Sequence, residues 1–210
     1  MPPDATATKK RLLTAAYNEF AQFGLAGARV DRIAEAAQAN KRLIYVHFGN
    51  KSDLFDLVVA NSLADLATAV PFTAEDLPGY AGRLFDYLLE HPQVLRLTGW
   101  SQLERPEASP AQVDAYRPKI AAIGVAQQQE RVTAAITPAD VLALLLGLTT
   151  AWANASPALR SLADQPPWNP ERLRVHRAAM IAAVQALTAP PSVSGHGHDS
   201  TGRQGAAFTP

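Results

Sequence analysis

The 210-residue sequence contains no cysteine and no apolar run long enough to cross a membrane. Without cysteine the chain has no disulfide, no thiolate metal site and no thiol nucleophile, and this composition suits a reducing compartment. The longest apolar run, VLALLLGLTTAWA, extends from Val141 to Ala153, whereas a membrane-spanning helix needs about 20 residues. The N-terminal stretch MPPDATATKKRLL has no apolar signal core. We therefore expect a cytoplasmic protein that contacts no membrane.

The sequence also lacks the recognisable motifs of catalysis. There is no glycine-rich phosphate-binding loop, no HExxH metal motif and no nucleophile elbow. The five histidines lie in unrelated contexts. We therefore expect a protein that is not an enzyme and that holds no metal ion and no cofactor.

Net charge is zero, with 19 basic and 19 acidic residues, but the two signs are unevenly distributed. Residues 1–55 contain eight Lys or Arg and five Asp or Glu, a difference of +3, so the remainder of the chain carries −3. A basic segment joined to a larger, mildly acidic one is typical of a protein that binds a polyanion with one end.

Helical periodicity begins in the basic N-terminal segment. In TATKKRLLTAAYNEFAQFG, the residues Leu13, Ala16, Phe20 and Phe23 follow steps of three and four, and Gly24 is expected to end the helix. The first turn of this helix is basic. The pattern predicts a long amphipathic first helix.

Two short helices and a fourth helix follow the first one. VDRIAEAA predicts a helix of two turns, and QAN then interrupts the pattern. Asn40 is a favourable N-cap residue for a third helix from Lys41 to about Phe48, and the fourth begins near Lys51 with Leu54, Leu57 and Val58 on one face. Two short helices joined by a three-residue break and packed beneath a longer one predict a helix-turn-helix.

The third helix would then be the one that enters the DNA major groove. Lys41 and Arg42 lie at its N-terminal end, where such helices approach base edges. Ile44 and Phe48 are four residues apart and are expected to face inward. The sequence therefore predicts that the polar residues of this helix read the DNA.

Three nearby polar residues are predicted to contact phosphate. The Tyr45 hydroxyl and the His47 imidazole can donate to phosphate oxygens. Lys51 lies at the start of the fourth helix, where its ammonium would add to the free N–H groups of the first turn. These residues would position the protein on DNA rather than read its sequence.

Residues 9–60 resemble the DNA-binding domain of the TetR (tetracycline-repressor-like) family of transcriptional regulators. The resemblance is carried by LLTAAYNEFAQFG, IAEAA, IYVHF and NKSDLF, one in each of the four helices in order. It implies a two-fold homodimer, a helical ligand-sensing domain and repression that a small molecule relieves. It also implies phosphate contacts at Tyr45, His47 and Lys51. The base-reading positions that it implies are Asn40, Lys41 and Arg42.

Three positions depart from the pattern of that family. The second helix usually follows a Thr or Ser pair that caps it, but this chain has Ala28 and Arg29, and Arg29 could replace the phosphate contact without replacing the cap. Gln38 stands where the turn often has Gly, so a left-handed backbone there would cost roughly 1 kcal/mol. Val46 replaces a residue that is commonly aromatic.

The remainder of the chain is also predicted to be helical, with segments near 75–90, 92–104, 110–133, 138–155 and 170–189. The expected fold is therefore all-α, with an N-terminal three-helix helix-turn-helix DNA-binding domain (1–52). A larger C-terminal helical ligand-binding and dimerisation domain (53–189) would follow it. Residues 190–210 contain too few apolar residues to pack and are predicted to form a disordered tail.

Two of these helices are predicted to form a dimer interface. The first, 138–155, is apolar on nearly all sides, and the second, 170–189, has an apolar stripe beside basic residues. Their stripes consist respectively of Val141, Leu144, Leu145, Leu148 and Trp152, and of Leu173, Met180, Val184 and Leu187. Two such helices from each subunit would form a four-helix interface; alternatively, both complete the core of a monomer.

A ligand-sensing domain needs a mostly apolar cavity with a few polar groups. The candidate residues are aromatic side chains and two polar ones from the C-terminal region, each of which could instead be ordinary core. They are Phe85, Arg96, Trp100, Tyr116, Trp152 and Asn154.

The sequence as a whole predicts a ligand-responsive transcriptional regulator that represses by binding a double-stranded DNA operator and is released by a small molecule. The alternative is a helical small-molecule-binding or scaffold protein with a degenerate helix-turn-helix. Salt-dependent binding to a defined operator would distinguish the two.

Overall fold

A computed structural model of the chain describes residues 5–190, which form ten helices and no strand within that range. The all-α prediction is confirmed. The predicted tail, 190–210, lies outside the described residues except for Pro190. Within the described range, no helix combines the length and apolar character needed to cross a membrane.

The helices follow the predicted order, with one addition. Their bounds are α1 Ala5–Gly27, α2 Val30–Ala36, α3 Lys41–Phe48, α4 Lys51–Ala69, α5 Leu77–Glu90, α6 Pro92–Glu104, α7 Pro110–Gln128, α8 Pro138–Asn154, α9 Pro157–Ser161 and α10 Pro170–Thr188. The sequence did not predict α9, because this five-residue helix buries no side chain and therefore has no apolar periodicity.

Local sequence sets most of the helix starts. A polar residue caps each start and a proline occupies the first turn in α5, α7, α8, α9 and α10, where the missing N–H costs little. The capping residues are Asp76, Ser109, Thr137, Ser156 and Asn169. α7 continues through Pro118.

One hydrophobic cluster holds the N-terminal helices together. Phe20 of α1 and Phe55 of α4 are fully buried, with their rings edge to face at a centroid distance of 5.1 Å. Leu97 of α6 belongs to the same cluster. In the predicted stripe of α1, Ala16 and Phe20 are fully buried, but Leu13 is only partly buried and Leu12 is fully buried instead. Of the three residues predicted on one face of α4, Leu54 and Val58 are buried, whereas Leu57 is 37% exposed.

A second cluster joins α5, α7, α8 and α10. It contains Leu84, Ile123, Val141, Leu145 and Val184, all nearly or fully buried. At its edge, the guanidinium of Arg177 in α10 donates to both carboxylate oxygens of Asp86 in α5, at 2.7 and 2.8 Å. Part of the stripes predicted for a dimer interface is therefore the core of one protomer, as Val141, Leu145, Met180 and Val184 show.

The remaining faces of α8 and α10 carry apolar side chains at the surface. Leu144 of α8 is 47% exposed, and Val175 of α10 is 55% exposed. The exposed apolar side of α10 continues from Val175 toward the end of the helix through five alanines. They are Ala178, Ala179, Ala182, Ala183 and Ala186. The apolar surface available for a partner is therefore centred on Leu144 and Val175, not on Leu145.

Candidate nucleic-acid interface

α3 has the bounds and the orientation that the sequence predicts. The side-chain oxygen of Asn40 accepts from the backbone N–H of Arg42 at 2.8 Å and so caps the helix. Ile44 and Phe48 are buried against the first cluster, and Gly49 ends the helix with φ 79°. These anchors fix which side of α3 faces solvent.

The outer face of α3 is formed by Lys41, Arg42, Tyr45 and Val46, all of them exposed. Tyr45 is 48% exposed and Val46 is 65% exposed. Among the described residues, the Arg42 guanidinium has no hydrogen bond or ion pair with another group, so it is available to a ligand in the groove. His47 is only half-buried beside this face, with its ring 6.0 Å from that of Phe48.

Lys41 is paired in the free chain. Its ammonium lies 2.8 Å from a carboxylate oxygen of Asp31 in α2. The hydrogen bond between them, together with their charges, lowers the pKa of Asp31 and raises the pKa of Lys41. A base contact by Lys41 therefore requires this exposed ion pair to open, which costs little at the surface.

Lys51 contacts the segment between α1 and α2. Its ammonium donates to the carbonyl oxygens of Ala28 at 3.1 Å and Ala26 at 3.4 Å, which leaves a third N–H for a phosphate. The expectation that the first turn of α4 offers free N–H groups is wrong. Asn50 accepts from the N–H groups of Ser52 and Asp53 and completes a capping box with Asp53. With the N–H groups of Ser52 and Asp53 occupied, a phosphate contact here depends mainly on the Lys51 ammonium.

A buried carboxylate from α1 holds the residue that precedes α2. Arg29 occupies the N-cap position without a side-chain bond of its own. Glu19, only 9% exposed, accepts from the Arg29 backbone N–H at 2.8 Å and from the Arg32 guanidinium at 2.7 Å. The Arg29 side chain is exposed. Sequence reasoning missed Glu19, although an acidic residue beside the buried Phe20 was a signal.

Two basic residues of α1 also lie against the helix-turn-helix and were not among the predicted DNA contacts. The Arg11 guanidinium donates to the carbonyl oxygen of Ala37 at 3.1 Å, which braces the turn between α2 and α3. The Lys9 ammonium lies 5.8 Å from the ring centroid of Phe48. The basic second turn of α1 is therefore next to the end of α3.

The turn between α2 and α3 contains the left-handed residue that the sequence suggested. Gln38 has φ 49°, and the N–H of Ala39 donates to the carbonyl of Ala34 at 2.9 Å.

Since glycine adopts this conformation without strain, Gln38→Gly is expected to stabilise the protein by up to about 1 kcal/mol. Chemical denaturation measures the change in the free energy of unfolding. Ala39→Gly, at a position without positive φ, should destabilise by roughly 0.5 to 1 kcal/mol; equal losses in both variants would refute the strain.

A cavity with a volume of about 630 Å³ lies between α4, α6 and α7. Its walls include Val59 and Leu63 of α4, Ser101 and Glu104 of α6, and Gln112 of α7. This mixture of apolar surface and a few polar groups is typical of a small-molecule site. None of the six residues predicted to bind a ligand lines this cavity.

Two of those six residues lie together elsewhere, in a nearly closed space. Phe85 and Trp152 border a void of only about 10 Å³, and the Trp152 indole donates to the carbonyl of Pro167 at 3.0 Å. The Arg172 guanidinium stacks on the Trp152 ring at 3.2 Å from its centroid. Burial and the Arg172 charge lower the pKa of His176 beside them. Phe85 and Trp152 therefore function as core residues in this conformation.

The other four predicted ligand residues are at the surface or in a different groove. Arg96 and Trp100 border an open groove of about 400 Å³ beside α1, whereas Tyr116 and Asn154 are exposed. The six residues therefore do not converge. Aromatic identity suggested them, but the path of α4, α6 and α7 places the main cavity elsewhere.

Known proteins resemble both halves of the chain. The family model for bacterial regulatory proteins of the TetR family matches residues 12–58, and the model described as tetracyclin repressor-like, C-terminal domain, matches residues 76–185. The HTH-type transcriptional repressor SCO4008 of Streptomyces coelicolor is 41% identical over 163 residues, which cover 76% of this chain and 84% of that protein. The HTH-type transcriptional repressor NicS of Pseudomonas putida is 31% identical over 108 residues, which cover 48% of this chain and 51% of that protein.

A solved structure shares the fold over almost its whole length. The crystal structure of SCO4942 from Streptomyces coelicolor, described as a transcriptional regulator, superposes with a TM-score of 0.77 at 35% identity, covering 88% of this chain and 99% of that one. The helix-turn-helix geometry, the two family matches and these relatives agree. The chain belongs to the TetR family and is a ligand-responsive, DNA-binding transcriptional regulator.

Proposed function

We propose that the protein is a homodimeric repressor that binds a two-fold symmetric operator through α3 and leaves it when a small molecule occupies the cavity of about 630 Å³. The observation that carries this proposal is the seating of α3. Ile44 and Phe48 hold the helix to the core while Arg42, Tyr45 and Val46 face solvent. A helix presented in this way fits the major groove of DNA.

The polar residues around α3 divide into two roles in this proposal. Arg42, Lys41 and the amide of Asn40 lie at the N-terminal end, where they reach base edges. Four further residues bind phosphates and set the register of the protein on the duplex. They are Arg29, Tyr45, His47 and Lys51.

The dimer forms through α8 and α10 in this proposal. The exposed apolar side chains Leu144 and Val175, with the alanines of α10, provide a surface that a second copy can cover. An identical patch on both subunits gives a two-fold axis, and a two-fold axis matches a palindromic operator. Operator binding and dimerisation are thereby linked.

The effector site is the cavity between α4, α6 and α7. Its volume is within the range of about 300 to 1,000 Å³ that small-molecule sites occupy. Val59 and Leu63 supply apolar surface, and Ser101 and Gln112 supply hydrogen-bonding groups. A mostly apolar small molecule with a few polar atoms fits this lining.

Selection of bound fragments from the source organism's genomic DNA, with the purified protein, tests the proposal. We expect recovery of a small set of fragments that share a palindromic sequence, and binding that weakens steeply with salt because phosphate contacts release counterions. Recovery of random fragments, or of none, would favour the alternative scaffold function. The relatives and the family matches give no support to that alternative, and Glu19 holds the start of α2 through the backbone N–H of Arg29.

A further inference from the structure

The last turn of α1, residues 25–27, is held by a carboxylate from the C-terminal region. Gly24 breaks α1 with φ 66° and ψ −175°, and a new turn follows it. The N–H groups of Leu25 and Ala26 that begin this turn donate to the two carboxylate oxygens of Glu104, at 2.5 and 2.9 Å. Glu104 is the last residue of α6. It caps this turn although Leu25 and Ala26 lie 79 and 78 positions before it in the sequence.

The carbonyl side of the same turn is held by cations of the helix-turn-helix. Lys51 donates to the carbonyls of Ala26 and Ala28, and the Arg32 guanidinium donates to that of Gly27 at 3.0 Å. The turn thus lies between Glu104 on its N–H side and Lys51 on its carbonyl side. Ala26 takes part in both contacts.

α6 approaches this turn closely. A Cβ atom at Gly24 would lie 2.8 Å from two ring carbons of Trp100, one turn before Glu104. The neighbouring Arg105 donates to both carboxylate oxygens of Asp56 in α4, each at 3.2 Å. The end of α6 is therefore fixed to both α1 and α4, and Glu104 and Arg105 also border the large cavity.

We propose that Glu104 is a positioning residue that couples the cavity to the phosphate contact of Lys51. The proposal rests on the proposed function, since it assumes that Lys51 binds phosphate and that the cavity takes the effector. An occupant that displaces the end of α6, or that draws the Glu104 carboxylate toward itself, leaves the N–H groups of Leu25 and Ala26 without acceptors. The turn then relaxes, and Lys51 loses the carbonyls that direct it.

The sign of the effect separates this role from simple charge. Removing a carboxylate from a DNA-binding protein should strengthen binding, because it removes repulsion from phosphate. The proposal requires the opposite for Glu104→Ala, and also for Glu104→Asp, which keeps the charge but is too short to cap both N–H groups. Glu107→Ala is the matched control, because Glu107 is exposed and makes no hydrogen bond to the turn within the described residues.

A double-mutant cycle with Lys51→Ala, measured on an operator fragment at several salt concentrations, tests the coupling. We expect Glu104→Ala and Glu104→Asp to weaken operator binding and to flatten the slope of log affinity against log salt by about 0.9 per lost contact, or about 1.8 for two subunits. In the Lys51→Ala background, Glu104→Ala should change the slope no further. Glu107→Ala should bind as tightly as the wild type or more tightly.

Unchanged or tighter binding by both Glu104 variants, or slope losses that add to those of Lys51→Ala, would overturn the coupling. If Glu104→Ala does not fold, as judged by its melting curve, the same cycle with Glu104→Gln decides, because glutamine keeps the length and one acceptor oxygen. Wild-type protein that binds no fragment specifically would refute the proposed function itself. Specific wild-type binding with Glu104 variants that match it would refute this inference alone.

Discussion

Replacing Arg42 with alanine is expected to cost about 1 to 3 kcal/mol of operator-binding free energy in each subunit and to relax base preference at one position of each half-site. The Arg42 side chain is exposed at the N-terminal end of α3, and its guanidinium can donate two hydrogen bonds to a guanine edge. Binding to unrelated DNA should change much less. Titrations against the operator and a scrambled duplex measure both effects.

Lys51→Ala is the matched control for Arg42→Ala, since it removes one positive charge from the same region. If Lys51 contacts phosphate, Lys51→Ala should weaken binding to the operator and to scrambled DNA alike. It should also flatten the slope of log affinity against log salt by about 0.9 per lost contact. If Arg42→Ala also lowers affinity for both duplexes equally, Arg42 contacts phosphate and the assignment of base readers in α3 is wrong.

Leu144→Asp is expected to convert the dimer to a folded monomer and to reduce operator affinity by roughly 10² to 10⁴-fold, the range over which linking two binding sites raises avidity. Leu144 is exposed on α8, so a charge there costs the protomer little but would be buried without a partner at a dimer interface. Sedimentation velocity gives the oligomeric state, and a melting curve confirms folding.

Leu145→Asp provides the contrast to Leu144→Asp. Leu145 is fully buried in the core of the protomer, so an aspartate there should yield unfolded or insoluble protein rather than a soluble monomer. A Leu144→Asp protein that sediments as a dimer and binds operator normally would show that the interface lies elsewhere.

The helix-turn-helix could be predicted because its determinants are local. Asn40 caps α3 through an N–H two residues away, and Gly49 ends the helix, so both limits of α3 are written in adjacent residues. Ile44 and Phe48 show the buried face by their spacing alone. The same local logic failed at α4, where the polar Asn50 and Asp53 cap the very N–H groups that seemed available to phosphate.

The contacts that were missed join residues far apart in the chain. Glu19 of α1 accepts from the backbone N–H of Arg29 before α2, and Glu104 caps a turn some 80 residues before it. Neither pairing leaves a periodic signal. The domain boundary placed at residue 52 stays a prediction. The buried residues of the first cluster continue past it into α4 as far as Val59 and include Leu97 of α6.

The ligand candidates show the same limit from another side. Phe85 and Trp152 were chosen for their aromatic rings, but both are buried and border a void of only about 10 Å³. The main cavity depends instead on how far α7 stands from α4 and α6, and small residues such as Ala60 and Ala64 leave that space. Sequence periodicity cannot show a space formed between helices that lie far apart in the sequence.

The most direct test of the central claim is the affinity of the wild-type protein for a selected genomic fragment, compared with a scrambled duplex of the same length, across a range of salt concentrations. We expect a preference of roughly 10³-fold or more for the selected fragment and a log affinity that falls linearly with log salt. Equal affinity for the two duplexes at every salt concentration would contradict the claim that α3 reads a defined operator.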